Sequence, residues 1–104
     1  MTDRYAGKPF LRLLDSYVLD SIGHLAADAQ AMLTRLEPQF HKAFNATGDW
    51  RTIVVTTMKF PDGMSGAVRE VWEKGKVRFV KEHGHEPDPA EFTRIFVDTN
   101  FPNN

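Results

Sequence analysis

The chain contains no cysteine, which excludes disulfide staples, a thiol nucleophile and a thiolate metal site, and fits a reducing compartment. It also lacks any run approaching the ~18 uninterrupted apolar residues of a membrane span. Its most apolar stretch, residues 9–25, is broken by Asp15 and Asp20. The opening MTDRYAGKPFLRLL has neither the apolar run nor the small-residue cleavage site of a secretory signal. An excess of one charge is missing too. Thirteen Lys and Arg against 14 Asp and Glu leave a formal charge of −1, whereas a bulk nucleic-acid binder normally carries a strongly basic balance. These absences describe a soluble, cytoplasmic protein with no membrane attachment.

Catalytic signatures are absent as well. There is no GxGxxG, no phosphate-cradling GxxxxGK[ST], no HExxH and no GxSxG. Gly63-Met64-Ser65-Gly66 resembles a nucleophile turn only superficially, because no strand precedes it. A helical di-iron site needs Glu-x-x-His pairs, and neither His24 nor His41 has a Glu three residues earlier. The chain reads more as a binder than as an enzyme, and no cofactor is implied beyond the divalent metal considered below.

What is present is apolar surface. Hydrophobic residues make up 41% of the chain, including eight Phe, two Trp and two Tyr. That is enough to offset the entropy of ordering one domain over residues 1–104, with residues 1–8 as an N-terminal arm. The organising stretch is Pro9 to Leu25. Wound at 100° per residue, it places Phe10, Leu13, Leu14, Tyr17, Val18, Ile22 and Leu25 on one side, and Leu11 widens that side to about half the circumference. Such a helix needs several neighbours to cover it. Pro9 suits its first position, and it runs to about Gly23. Ser21, inside the arc, is read as a packing choice whose hydroxyl bonds back to a helix carbonyl.

A second helix spans about Ala27 to Phe44, with a stripe of Ala29, Met32, Leu33, Leu36, Phe40 and Phe44. Pro38 must kink it or split it near Glu37. Residues 45–48 form a turn. DWRTIVVTTMKF is rich in β-branched residues, yet Trp50, Ile53, Val54, Thr57 and Met58 keep helical spacing and no second β-rich run exists to pair with a strand. It is assigned as a third, short helix. Phe60-Pro61-Asp62-Gly63 is a turn.

A fourth helix then carries Met64, Ala67, Val68, Val71, Trp72 and Phe79 on one face and ends at Gly84. Asp88-Pro89-Ala90-Glu91 reads as a helix start with Asp88 as N-cap and Glu91 as its reciprocal acid. The fifth helix turns Phe92, Ile95, Phe96 and Thr99 inward and is stopped by Pro102. The sum is an all-α, up-down-like bundle of four to five helices around the first.

Three residue groups could carry function. Asp20/His24 and Glu37/His41 are spaced i,i+4, as a two-ligand clip or a surface ion pair would be. The antiparallel topology puts His24 and His41 about 20 Å apart, so they cannot share an ion. It brings His41, His83 and His85 to one pole, near Glu37, Glu82 and Glu86. That set suits Zn²⁺ or another divalent metal. His24, inside the first helix's arc, is read as a half-buried histidine with a backbone partner.

The second group is Arg69, Lys76 and Arg78 on the fourth helix, which after its short turn resembles the reading element of a helix-turn-helix. The interleaved Glu70 and Glu73 look instead like partners in i,i+4 pairs on a solvated face, and this argues against nucleic acid. The third group is apolar. Leu19 leaves the main arc of the first helix, and Val77 and Val80 stand off the main face of the fourth. If they join a patch, they suit a homodimer or a protein partner. Binding of a protein or of a second copy is the leading expectation.

Overall fold

The computed structural model describes Tyr5 and residues 8–101, with Pro9 described by its backbone alone. The expected arm is thus represented by Tyr5 and Lys8, and the expected stop at Pro102 falls outside the described residues. Six helices follow one another: α1 (Pro9–Ser21), α2 (Ala27–Arg35), α3 (Glu37–Phe44), α4 (Trp50–Met58), α5 (Met64–His83) and α6 (Pro89–Asn100). The all-α bundle read from the sequence is the architecture observed.

α1 lies at the centre of this bundle and packs on α4, α5 and α6, which share no comparable contact with one another. Leu11, Leu13, Leu14, Tyr17, Val18 and Ile22 are buried along or just beyond it, each apolar side chain worth about 1.5–3 kcal/mol of burial. The covered surface exceeds the predicted arc. Asp15 and Ser21 are buried too, and Arg12 is the exposed side chain among those described on α1. The Ser21 hydroxyl donates to the Tyr17 carbonyl at 2.8 Å, as a small polar residue inside a helix contact does. The chain leaves α1 through Gly23 at φ +79°. Arg69 of α5 donates from Nε to the Ser21 carbonyl at 3.1 Å, so a cation sits at the negative end of the α1 dipole.

The second helix is divided, which raises the count to six. Pro38 cannot donate to a carbonyl one turn earlier. The chain breaks at Leu36, and Pro38 falls in the first turn of α3 where its missing N–H costs nothing. α4 is helical despite its β-branched residues. The Asp49 carboxylate caps it by accepting from the Thr52 amide at 2.7 Å, and the bonds from Thr52 hold that carboxyl below its ordinary pKa. Glu37 Oε2 accepts from the Trp50 amide at 2.9 Å, which satisfies a second free donor of the first turn and ties α4 to the start of α3. Trp50, Ile53 and Val54 are fully buried. Tertiary packing of that triad outweighs β propensity.

α5 begins after Gly63 at φ +82° and ends at Gly84 at φ +78°. Asp88 caps α6, accepting from the Ala90 amide at 3.0 Å. The rotation of α6 differs from the expectation. Thr93 and Val97 face the core, Phe92 and Phe96 are half-buried, and Ile95 and Thr99 are exposed. A Thr–Val ridge is low enough for α6 to lie close on α1. The larger rings then fill the flanks, Phe92 against Trp72 at 5.0 Å and Phe96 against Phe101 at 6.3 Å. On α5 only Val68 and Trp72 are buried, while Ala67 and Val71, placed inward by the sequence, face solvent.

Candidate functional site

Two surface features stand out. The larger is an open cleft of about 460 Å³ between α1 and α6. Its walls include two buried polar side chains, Asp15 at 4% exposure and Thr93 at 2%. The Tyr5 hydroxyl donates to Asp15 Oδ2 at 2.9 Å, which anchors this part of the arm on α1. Thr93 Oγ1 is buried without a hydrogen-bond partner among the described residues. A buried hydroxyl left unpaired costs about 1–3 kcal/mol. Thr93→Val keeps the shape and removes that cost, so thermal unfolding of the variant is expected about 4–8 °C higher, equivalent to roughly 1 kcal/mol. A lower melting temperature would show that the hydroxyl is satisfied in solution.

The second feature is a groove of about 190 Å³ between α5 and α6, floored by Trp72, Gly75, Phe79, Phe92 and Ile95 and edged by Lys76, Asp88 and Glu91. Gly75 leaves open space where a side chain would stand. The exposed large aliphatic residues of the described chain are Val71 at 48%, Val77 at 68%, Val80 at 39% and Ile95 at 49%, of which Ile95 lines the groove. All four belong to α5 or α6. Of the predicted apolar trio, Val77 and Val80 are exposed neighbours on α5, whereas Leu19 is half-buried against the core and lines the α1–α6 cleft. Val71 and Ile95 were missed because helical periodicity assigns both to inward faces. The available signal was length. At 20 residues α5 outruns 13-residue α1 and 12-residue α6, so its faces cannot all be covered.

The histidines do not assemble as the topology suggested. Phe79 gathers His83 and His85, at centroid distances of 4.3 and 5.2 Å, and the two imidazoles are 6.2 Å apart. His41 is engaged elsewhere: its Nε2 lies 2.6 Å from the Gly48 carbonyl, which requires the proton on that nitrogen and leaves Nδ1 as the ring's one ligating atom. Among the described residues no three His, Asp or Glu side chains stand where they could hold one ion. The i,i+4 clips are likewise replaced. Asp20 accepts from Arg51 at 2.8 and 3.3 Å, Arg51 also donates to Gln30 at 3.2 Å, and Glu37 caps α4. The hydrogen bond it donates to Asp20 keeps the Arg51 guanidinium more firmly protonated than usual. His24 is exposed rather than half-buried, its ring edge-on to Trp72 at 5.4 Å.

The cationic trio is also dispersed. Arg69 caps α1. Lys76 pairs with Glu73 at 3.5 Å and lies 5.9 Å from the Trp72 ring centre. Arg78, nine residues after Arg69 and two after Lys76, points to a different side of the helix by periodicity. α4 and α5 pack on α1 rather than closely on each other, unlike the two helices of a helix-turn-helix. No helix among the described residues is long and apolar enough to cross a membrane. Comparison with protein-family models, with characterised proteins and with solved structures returns no match.

Proposed function

We propose that this chain acts in the cytoplasm by binding another protein or a second copy of itself, through α5 and the adjoining edge of α6. The observation that carries this reading is the grouping of Val71, Val77, Val80 and Ile95 on those two helices. Single exposed aliphatic residues are ordinary; Val77 and Val80, neighbours on α5, together with Ile95 at an aromatic-floored groove between α5 and α6, give these two helices the composition of docking surfaces. The zinc and nucleic-acid readings have no comparable support. The imidazoles are divided between two places, and two of the three cations are occupied within the fold.

Light scattering across a concentration series, with capture from an extract of the source cells, tests this. Wild type is expected to exceed the monomer mass or to retain a partner, and Val77→Lys with Ile95→Lys to do neither while keeping its helical spectrum. A monomer that captures nothing would overturn the reading.

A further inference from the structure

The outer face of α5 carries an ordered pattern. Val68 and Trp72 mark its buried side. On the opposite side by helical periodicity, Glu73, Val77 and Lys81 succeed one another at intervals of four and form a single ridge. All three are exposed, with Val77 the most exposed large aliphatic residue described, at 68%. The ridge reads acid, valine, base. Turned end for end, it reads base, valine, acid.

We infer that α5 pairs antiparallel with α5 of a second copy, about a two-fold axis through Val77. This rests on the protein-binding reading and names its partner. Val77 then meets its own counterpart, Glu73 faces the partner's Lys81, and Lys81 faces the partner's Glu73. The contact is self-complementary, as a two-fold interface must be. Val80 falls opposite the partner's Lys74, whose methylene stem can cover it.

The charges select the direction. A parallel pair would set Glu73 on Glu73 and Lys81 on Lys81, a like-charge penalty that disfavours that register. The antiparallel pair also opposes the two helix dipoles. The partners needed are at hand. Lys81 makes no ion pair among the described residues, Glu73 has only a long contact to Lys76 at 3.5 Å, and Glu70 is taken by Lys74 at 2.7 Å. One helix pair buries less than a standard interface, so association belongs to the weak class below about 1,200 Å².

Sedimentation velocity on the full chain from micromolar to near-millimolar concentration tests this, with circular dichroism to confirm folding. Wild type is expected to dimerise as concentration rises. Glu73→Lys and Lys81→Glu, each setting like charges opposite at two symmetric positions, are expected to weaken the homodimer about tenfold. Mixing the two variants restores both pairs and is expected to give a heterodimer tighter than either homodimer. The doubly exchanged chain is expected to dimerise like wild type. A dimer indifferent to these exchanges would overturn the α5 pairing while leaving self-association through another face. A monomer at every concentration would overturn it too, while capture of a different protein, lost on Val77→Lys, would leave the broader reading intact.

Discussion

Trp50→Ala is expected to remove about 3–5 kcal/mol of stability. The side chain is fully buried at the first position of α4, so truncation leaves a void the size of an indole, lined by residues that are themselves anchored. The Trp50 amide is held by Glu37 at 2.9 Å, which keeps the backbone from sinking into the space. The Arg51 guanidinium lies over the indole at 4.5 Å while its nitrogens are bound to Asp20 and Gln30, so that lid is also fixed. Against a total stability of about 5–15 kcal/mol for a domain of this size, the variant loses a large share. Trp50→Phe is the informative partner. The indole N–H is buried without an acceptor among the described residues, so phenylalanine sacrifices no hydrogen bond and the expected cost falls to about 1 kcal/mol. Urea unfolding at 25 °C measures both. A cost below about 1.5 kcal/mol for the alanine variant would mean that the site collapses freely and that α4 is not held as described.

Features set by local chemistry were legible in the sequence. Asp88, Pro9 and Gly84 mark helix ends because a side-chain acceptor, a missing N–H or a left-handed backbone acts within a few residues. The apolar content of residues 9–25 identified the central helix because no surface helix carries so wide an arc. Features decided by how helices meet were not legible. In α6, Phe92/Ile95/Phe96 and Thr93/Val97 are both acceptable inward ridges by spacing. The choice went to the smaller pair because α1 beside it is already filled with leucines and a tyrosine. Hydrophobicity alone favours the wrong ridge.

The placement of the histidines differs from the structure for a related reason. The shared pole for His41 follows from measuring residues 27–44 along a single axis even though Pro38 marks a kink or split there, and the break at Leu36 removes the basis for that placement. Asp15 reads as a polar interruption of an apolar stretch, yet it is buried and bonded by Tyr5, ten residues earlier and outside the helix. No periodicity reports a contact of that kind. Val77 and Val80 were legible as outliers because they depart from their helix's own apolar face, which needs no knowledge of the neighbours. Val71 and Ile95 conform to such a face and are nonetheless exposed, which spacing within one helix does not report.

Leu14→Ala is expected to cost about 2–5 kcal/mol, and the loss should spread through the molecule rather than stay beside residue 14. α4, α5 and α6 each pack on α1 and share no comparable contact with one another. Loosening α1 therefore weakens three attachments at once, and unfolding is expected to remain a single transition shifted to lower denaturant with an unchanged slope. Arg12→Ala, two residues away on the same helix, supplies the contrast. Its side chain is exposed and contributes a ring contact to Tyr5 at 5.1 Å, worth about 0.5–1 kcal/mol at an exposed site. If the two variants cost the same, α1 would be one surface helix among six. A several-fold difference between residues 3 Å apart along the helix axis is what a buried central rod requires, because only there does a side chain's direction, rather than its position in the chain, decide how much of the fold depends on it.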